Sequence, residues 1–453
     1  MIRILLSLAA LLALAAPASA SWSFTFTAAD QGAVTELAVL TRFQTTLRNT
    51  GTTADTYTVT MVKDMPAAWA CSFCEGQVCY PPWLTQLTIN LQPGQETYID
   101  VDLTPLADQG TGIAHVTVAS QGSPALSVAR AFRVVSTGVQ VLLVDGDGGQ
   151  QLEDYYTPAL ATGDVTWARW PRDEAGALSS PELDAFAAVI WYAEGMAPGL
   201  DDVDRTALAY YVQHGGMLLL AGQDLAWQAG DPASPWYTPQ SAAWLQVVLG
   251  ASHAGAATGA IGVAALPGAP FGTSFTGTLN GAGGAGNSTS PDALQAVGSG
   301  VAAHTYLGGP SAAVASTWGA GRSLFCGYAL ESLAAGERAL LLDAFLDWAL
   351  GRPSAVPDGR LPLAWAVRAA PNPFNPSTTL RFEVASPGPV RVEICDLRGR
   401  VVRALADRVM AAGPAQLPWD GRDDRGATLP SGIYLARLTA GDATGATKLV
   451  LAK

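Results

Sequence analysis

The sequence is poor in charge, in lysine and in long apolar runs, and each shortage excludes a class of protein. Charged residues make up 14 % of the 453 residues, with 25 Lys and Arg against 38 Asp and Glu. The net charge of −13 excludes a generic nucleic-acid binder, which needs a basic face against phosphate. Beyond residue 20 no uninterrupted apolar stretch reaches about 18 residues, so no membrane-spanning helix is predicted. The lysines are Lys63, Lys448 and Lys453, and the other basic residues are arginines.

Familiar hydrolase motifs are also missing. The sequence contains no Gly-x-Ser-x-Gly elbow and no His-Glu-x-x-His zinc-protease motif. It has instead 48 Gly, 29 Pro and 49 % hydrophobic residues. That hydrophobic share is too high for a disordered chain, and the abundance of turn-forming residues predicts many short strands. At roughly 150 residues per domain, the length predicts three domains.

Residues 1–20 have the organisation of a signal peptide. Arg3 supplies the positive start, a largely apolar run over residues 4–16 follows, and Ala18-Ser19-Ala20 forms a small-x-small cleavage site. The run is too short to span a membrane, which takes about 20 residues. We therefore expect a mature chain that begins near Ser21 and is secreted, or carried to the cell surface through the periplasm.

Five cysteines fit an oxidising compartment, and Cys71, Cys74 and Cys79 lie close together. The spacing favours a Cys74–Cys79 disulfide, worth about 2 kcal/mol in chain-entropy terms, with Cys71 as the alternative partner. A zinc site needs four ligands, and no second pair of Cys or His lies nearby, so no metal site is predicted. Cys326 lies in an apolar strand, and although His304 could pair with it in a thiol enzyme, we expect a buried, inert thiol.

Residues 21–136 alternate apolar and polar side chains with a period of two, which predicts an Ig-like β-sandwich. The pattern resembles bacterial Ig-like modules of secreted proteins in its Asn49-Thr50-Gly51 turn, its Asp55-Thr-Tyr-Thr-Val59 strand and its Leu91-Gln-Pro-Gly94 turn. Core or edge packing is the favoured interpretation of three aromatic residues that could alternatively form a sugar-binding platform: Trp69, Tyr80 and Trp83.

Residues 139–351 change to continuous apolar strands that alternate with helices, which is typical of an α/β domain with a buried parallel sheet. Strands are predicted near 139–144, 164–170, 187–192 and 217–221, with a late strand at 324–327 and a closing helix at 331–350. Residues 254–309 are rich in Gly, Ala, Ser and Thr, and we expect extended, strand-poor insertions there.

This middle segment resembles class I glutamine-amidotransferase-like domains. The resemblance rests on the strand end Asp145-Gly-Asp147, the elbow Ala221-Gly-Gln-Asp224 and the late strand end Tyr328-Ala-Leu-Glu331. It implies a flavodoxin-like, doubly wound parallel sheet. Active members carry a Cys at the elbow and a His–Glu pair, whereas Gln223 or Asp224 stands at this elbow and the late strand lacks the His. The resemblance therefore implies the fold without the activity, so we predict no catalytic residue and no cofactor.

The carboxyl ends of parallel strands form the sheet edge where α/β domains bind ligands. The candidate ligand-pocket residues at that edge are Asp145, Asp147, Gln223, Asp224 and Glu331. The segment 145–149 could hold Ca²⁺ or phosphate, but Tyr156 stands where an EF-hand needs an acid and Gln151 where a dinucleotide fingerprint needs Gly. An acidic strand-to-helix turn is the favoured interpretation.

A Pro-bearing linker at 352–366 leads into a second β-sandwich at 367–453. Its motif residues are Pro371, Asn372, Pro373, Phe374, Asn375 and Pro376, then Trp419, Asp420 and Gly421, then Gly432 and Tyr434. With Asp396-Leu-Arg-Gly-Arg400 between them, these blocks closely resemble the Ig-like domain of flagellar hook-capping proteins and the C-terminal type A sorting domains of type IX secretion. The resemblance implies an export or surface-attachment module, in which we expect Trp419 to cover one end of the core and Asp420 to bind its own loop backbone.

Taken together, the sequence predicts a secreted or cell-surface, non-enzymatic binding or structural protein. Its expected partners are export machinery or a cell-surface component, together with a small-molecule, glycan or protein ligand. Two alternatives stay open. One is an extracellular hydrolase or carbohydrate-active enzyme that uses paired carboxylates drawn from Asp145, Asp224 and Glu331. The other is a glycan-binding adhesin that uses exposed aromatic side chains.

Overall fold

The structure is a computed structural model that describes residues 21–75, 78–162, 165–194, 198–266, 275–351, 368–384, 388–396, 400–411, 413–440 and 443–452. The predicted signal peptide at 1–20 and the predicted linker at 352–366 lie outside the described residues. Internal contacts divide the chain into two units: residues 1–139 with 168–177, and residues 140–167 with 178–453.

The first unit contains the β-sandwich predicted for residues 21–136. Its strands are β1 (Phe24–Ala28), β2 (Gly32–Thr35), β3 (Thr41–Phe43), β4 (Thr45–Asn49), β5 (Asp55–Asp64), β6 (Ala70–Glu75), β7 (Val78–Cys79), β8 (Gln86–Leu91), β9 (Glu96–Thr104), β10 (Thr111–Ser120) and β11 (Ser127–Ser136). One sheet has the order β1-β4-β9-β6-β7, with β3 paired to β9, and the other has the order β2-β11-β10-β5-β8.

Strict alternation along the strands decides which side chains fill this core. In β5, Tyr57, Val59 and Met61 are buried, while the threonines between them face outward. The buried Asp55 carboxylate accepts hydrogen bonds from Ser120 Oγ at 2.5 Å and from the Gly122 backbone N–H at 3.0 Å. These bonds satisfy a carboxylate that would otherwise be costly to bury, and they fix the end of β10 against β5.

The next elements along the chain are β12 (Val141–Gly146), α1 (Glu153–Thr162), β13 (Trp167–Pro171), α2 (Arg172–Ala175), α3 (Ser180–Leu183), β14 (Ala188–Ala193), α4 (Asp202–Gln213), β15 (Met217–Ala221), α5 (Leu225–Gly230) and α6 (Pro239–Val248). They are followed by β16 (Ala251–Ala256), β17 (Gly262–Ala265), β18 (Thr276–Thr278), β19 (Asp292–Ala296), β20 (Val301–Tyr306), β21 (Ser311–Trp318), β22 (Gly321–Cys326), a 3₁₀ turn (Leu330–Ser332) and α7 (Ala335–Leu350).

The second unit has a mixed sheet rather than the purely parallel sheet expected from the sequence. Strands β12, β14, β15 and β22 are neighbours in that order and parallel, as predicted, and each is buried along nearly its whole length. Beyond β22 the sheet continues antiparallel through β21, β20, β17 and β18, and β19 pairs with both β21 and β16. No helix among the described residues is long and apolar enough to cross a membrane.

The expectation of strand-poor insertions at 254–309 is wrong. That segment contains β17–β20 and the second half of β16. Its small residues carry little intrinsic strand preference, and their conformation is fixed by pairing with strands farther along the chain, β16 with β19 and β17 with β20.

The C-terminal part of the second unit is a sandwich, as predicted. Its strands are β23 (Arg368–Ala370), β24 (Thr378–Val384), β25 (Gly388–Cys395), β26 (Val401–Met410), β27 (Gly413–Trp419), β28 (Gly432–Ala440) and β29 (Ala443–Leu451). They form sheets of order β23-β24-β27 and β26-β25-β28-β29. Residues Leu380, Val392, Ile394 and Leu438 are fully buried between them.

Candidate functional site

Acidic and amide side chains collect where the four parallel strands end. We call this set the carboxylate edge: Asp145, Asp147, Glu194, Gln223, Asp224 and Glu331. Asp145 is the second-last residue of β12, Glu194 follows β14, and Gln223 and Asp224 follow β15. Glu331 lies in the 3₁₀ turn after β22. All six residues lie at or just after the ends of neighbouring strands, which is the sheet edge where the sequence predicted a ligand pocket.

Glu331 is the most enclosed member of the carboxylate edge. Tyr156 Oη donates to its Oε2 at 2.6 Å, and Asn287 Nδ2 donates to its Oε1 at 2.7 Å. Complete burial raises the pKa of Glu331, and these two hydrogen bonds partly oppose that rise by favouring the charged form. Tyr156 on α1 and Asn287 in the segment before β19 were not identified from the sequence.

Glu194 is the acidic residue that the sequence analysis missed. It accepts hydrogen bonds from the Gln223 backbone N–H at 2.9 Å and from Gln223 Nε2 at 3.0 Å. Burial first, and then the charge of Glu331, raise the pKa of Glu194 to about 8. The sequence does contain a signal for Glu194, because this residue comes just after a fully buried strand, as Gln223 comes shortly after β15.

Gln223 joins the carboxylate edge to a segment that lies over it. Besides Glu194, Nε2 donates to the Asn287 carbonyl oxygen at 2.7 Å, and Oε1 accepts from the backbone N–H groups of Thr289 and Ser290 at 2.9 and 2.8 Å. Both donors and both acceptor positions of the amide are thus used within the protein. We call residues 287–290 the latch segment, since Gln223 fastens it to the end of β15.

Asp224 stands at the turn from β15 into α5 with φ of 62°, in the left-handed region that L-residues seldom adopt. Its Oδ1 accepts a hydrogen bond from Ser290 Oγ of the latch segment at 2.7 Å. It does not cap α5; that role falls to the buried Asp292, whose Oδ2 accepts from the Ala226 N–H at 2.8 Å. Burial raises the pKa of Asp292 to about 8. The elbow therefore carries a strained backbone and a carboxylate already engaged by the latch.

Asp147 is turned toward its own backbone. Its carboxylate accepts from the N–H groups of Gly149 at 2.8 Å and Leu152 at 3.1 Å, and burial raises its pKa to about 6. Oxygens of Asp145, Asp147 and Glu153 lie within 4.8 Å of one another. The backbone hydrogen bonds fit the interpretation of 145–149 as an acidic strand-to-helix turn.

Cys326 lies fully buried near two other titratable groups. Tyr328 Oη is 2.9 Å from His304 Nδ1. Burial raises the pKa of Cys326 to about 12 and lowers that of His304 to about 4, so the thiol stays protonated and the imidazole neutral near pH 7. This is the inert thiol expected from the sequence, because nucleophilic catalysis needs a thiolate.

The Cys74–Cys79 disulfide is present, and Cys71 is a buried free thiol.

The three aromatic residues considered as a sugar-binding platform have different surroundings. Trp69 packs in the sandwich core and donates its indole N–H to the Asp108 carbonyl oxygen. Tyr80 is half-buried, and its hydroxyl donates to Glu75 Oε2 at 3.0 Å. Trp83 is 82 % exposed, so packing does not explain it.

The motif residues of the C-terminal sandwich hold that domain together. The ring centroid of Trp419 lies 5.2 Å from that of Phe374 and 5.6 Å from that of Tyr434. The Trp419 indole N–H donates to the Arg422 carbonyl oxygen at 3.0 Å, and Asp420 Oδ1 accepts from the Arg422 N–H at 3.2 Å. Asp420 thus binds its own loop backbone, as predicted, and Trp419 is buried in the core of the sandwich.

The remaining motif residues shape the loops around this aromatic cluster. Asn372 Oδ1 accepts from the Val450 N–H, and the Pro371 carbonyl oxygen accepts from Thr378 Oγ1. The Asn372–Pro373 and Asn375–Pro376 peptide bonds are cis. Gly421 has φ of 69°, a conformation suited to glycine, and Gly432 opens β28.

Residues 372–444 match the FlgD Ig-like domain family. The match covers the C-terminal sandwich alone. No curated protein matches the chain. Among solved structures, the N-terminal domain of PorA is 10 % identical, with a TM-score of 0.20, and the likeness covers 26 % of this chain and 98 % of that one. An exo-β-1,4-mannosidase from Opitutaceae bacterium strain TAV5 is 12 % identical, with a TM-score of 0.30, covering 49 % of this chain and 37 % of the enzyme. Likeness at these scores says nothing about the activity of this chain.

Proposed function

We propose that this chain is an exported, non-enzymatic binding protein. In this proposal its α/β region has an amidotransferase-like fold without amidotransferase activity, and its FlgD Ig-like domain serves export or surface attachment. The observation that carries the first part is the Gln223 amide, whose four hydrogen bonds all stay within the protein and hold the latch segment over the elbow.

The chemistry of the elbow supports this interpretation. Acyl transfer needs an exposed nucleophile beside a base, and a carboxylate cannot replace a thiolate in that role. Asp224 is bonded to the latch, and the nearby strand end after β22 provides Glu331 but no histidine. The order β12-β14-β15-β22 is that of flavodoxin-like sheets beyond their edge strand, which supports the amidotransferase-like assignment.

An amidase assay tests the loss of activity. The full chain and its Asp224→Cys variant are incubated with L-glutamine, and released ammonia is measured. We expect no release above buffer from either protein, because the latch segment contacts position 224 and the strand end after β22 supplies Glu331 where an active member has a histidine. Glutamine turnover by the wild-type chain would overturn this part of the proposal.

Cell fractionation tests the export role. A chain lacking residues 367–453 is compared with the full chain and with a chain lacking residues 1–20. We expect the first truncation to accumulate in the periplasm and the second in the cytoplasm, while the full chain reaches the surface or medium. Unchanged extracellular delivery without residues 367–453 would remove the sorting role.

One observation favours a second candidate function, an acid–base hydrolase. Burial raises the pKa of both Glu194 and Glu331, and the charge of Glu331 raises that of Glu194 further, as in pairs of interacting carboxyl groups that exchange a proton. A reducing-sugar assay on neutral polysaccharides compares wild type with Glu194→Gln and Glu331→Gln. Activity that both variants lose would establish this alternative, and absence of activity in the wild type would exclude it for those substrates.

A further inference from the structure

Trp83 is the most exposed large apolar side chain of the described residues. It is 82 % exposed, against 41 % for Trp22 in the same unit. An indole combines an apolar ring with a polar N–H group, so an exposed tryptophan offers a partner both kinds of contact. The two residues before it, Pro81 and Pro82, are exposed as well.

The turn that carries Trp83 is held from several sides. The Leu84 N–H donates to the Pro81 carbonyl oxygen at 2.9 Å, which closes a β-turn with Pro82 in its second position. Lys63 Nζ donates to the carbonyl oxygens of Cys71 and Pro82 and thereby ties the turn to β5. Leu84 packs against the core of the sandwich. A side chain on so constrained a backbone loses little conformational freedom when it meets a partner.

Strand β8 follows this turn, and its outward sheet face is rich in neutral hydrogen-bonding groups. We call it the hydroxyl face, and its members point away from the core on three adjacent strands: Thr56, Thr58 and Thr60 on β5, Gln86, Thr88 and Asn90 on β8, and Thr117 on β10. Thr58 lies opposite Thr88, and Thr60 lies between Gln86 and Thr117. These seven side chains offer hydroxyl and amide groups and carry no charge.

We propose that the Trp83 turn and the hydroxyl face bind a neutral polysaccharide. A sugar ring presents an apolar C–H face, which stacks on an exposed indole, and hydroxyl groups, which exchange hydrogen bonds with threonine, glutamine and asparagine side chains. A charged partner finds no countercharge among the seven residues, and the net charge of −13 disfavours an anionic membrane or polyanion. The inference names a ligand class for the binding role proposed above. It rests on the proposed function in one respect, since export determines the compartment in which the protein meets the polysaccharide.

Affinity electrophoresis of the mature full chain tests this site. Native gels contain hydroxyethyl cellulose, laminarin or galactomannan as neutral probes, and carboxymethyl cellulose as a charged counterpart of the first. We expect retardation by a neutral probe and weaker retardation by carboxymethyl cellulose. Trp83→Ala should lower the affinity about tenfold or more, as for a central aromatic contact. Trp83→Tyr should retain most of it, and the double variant Thr58→Val, Thr88→Val should weaken it.

Trp22→Ala is the matched control, since it removes another exposed indole from the same sandwich. Absence of retardation by all three neutral probes, or an affinity unchanged in Trp83→Ala, would overturn the proposal. So would equal losses in Trp22→Ala and Trp83→Ala, or binding to phosphatidylcholine vesicles that depends on Trp83. The glutamine and fractionation assays do not involve Trp83, so failure here is distinguishable from failure of the proposed function.

Discussion

Glu194 and Glu331 are buried with only neutral donors bonded to their carboxylates. Gln223 donates hydrogen bonds to Glu194, and Tyr156 and Asn287 donate hydrogen bonds to Glu331. The nearby Arg338 gives its N–H groups to the main-chain carbonyl oxygens of Glu331 and Leu333 instead. Two carboxylates in this environment favour the retention of a proton over two full charges.

This environment predicts a pH-dependent stability. The pKa of Glu194 is raised from 4.5 to about 8, so between these values the folded chain holds a proton that the unfolded chain releases. The free energy of unfolding should therefore fall as pH rises from about 5 to 8. Denaturant titration at several pH values measures this fall. Glu194→Gln should reduce the slope, leaving the parts due to Asp147, Asp292 and Glu331, whereas the exposed Glu96→Gln should not. A free energy that rises across this window in the wild type would contradict the prediction.

Gln223 gives a second prediction at this scale. Gln223→Ala removes the side-chain bonds to Glu194 and to the latch segment, and it should lower the free energy of unfolding by about 2–4 kcal/mol because buried partners lose their bonds. Amide hydrogen exchange at Thr289 and Ser290 should accelerate strongly. Gln416→Ala, at an exposed position in the C-terminal sandwich, is the control. Unchanged protection of Thr289 and Ser290 would show that Gln223 does not hold the latch.

The sequence revealed part of this site for a physical reason. Asp145, Asp147, Gln223, Asp224 and Glu331 follow the ends of apolar strands, and sheet topology alone brings such ends together. The same rule identifies Glu194 once the end of β14 is considered. Tyr156 and Asn287 reach Glu331 across 175 and 44 residues of chain, so only tertiary packing could reveal them.

At the scale of elements, the hydrophobic pattern of the sequence predicted the apolar strands better than the strands made of small residues. The buried β12, β14 and β15 are continuous apolar runs and were predicted near their observed bounds. Strands β16–β20 consist largely of small residues; β16 pairs with β19, β17 pairs with β20, and β19 and β20 pair with β21. Strand formation in residues 254–309 depends on partner strands elsewhere in the chain. The local sequence pattern therefore underestimated the strand content of this segment.

The β6–β7 hairpin supplies a prediction about the disulfide. Cys74 and Cys79 lie opposite each other in this hairpin. Replacing both with Ser should lower the free energy of unfolding of the first unit by about 2 kcal/mol, the value for a short closed loop. Dithiothreitol should destabilise the wild type by a similar amount and leave the double variant unchanged. A wild type insensitive to the reductant, with the disulfide shown to be reduced, would contradict this.

At the scale of the molecule, both sandwiches were predicted with their positions, because alternation and turn residues repeat at short intervals. The motif residues of the C-terminal domain turn out to build its aromatic core and loops. Trp419 packs against both Phe374 and Tyr434, so three motif blocks that are far apart in sequence meet in one cluster.

Limited proteolysis tests the predicted boundary between the mixed-sheet region of the second unit and the C-terminal sandwich. Within 352–366, Arg352 precedes a proline and resists trypsin, so Arg360 is the susceptible bond. We expect an early fragment that begins at Leu361, identified by N-terminal sequencing and mass, and its absence in Arg360→Gln. First cleavage inside either sandwich would place the boundary elsewhere.

The bonds that hold Lys63 have a practical consequence. Its ammonium group is occupied by two carbonyl oxygens, that of Cys71 in β6 and that of Pro82 in the Trp83 turn. Amine-directed dyes and coupling resins should therefore react least at Lys63. Labelling of amines should leave the Trp83 turn, and the indole it carries, unmodified.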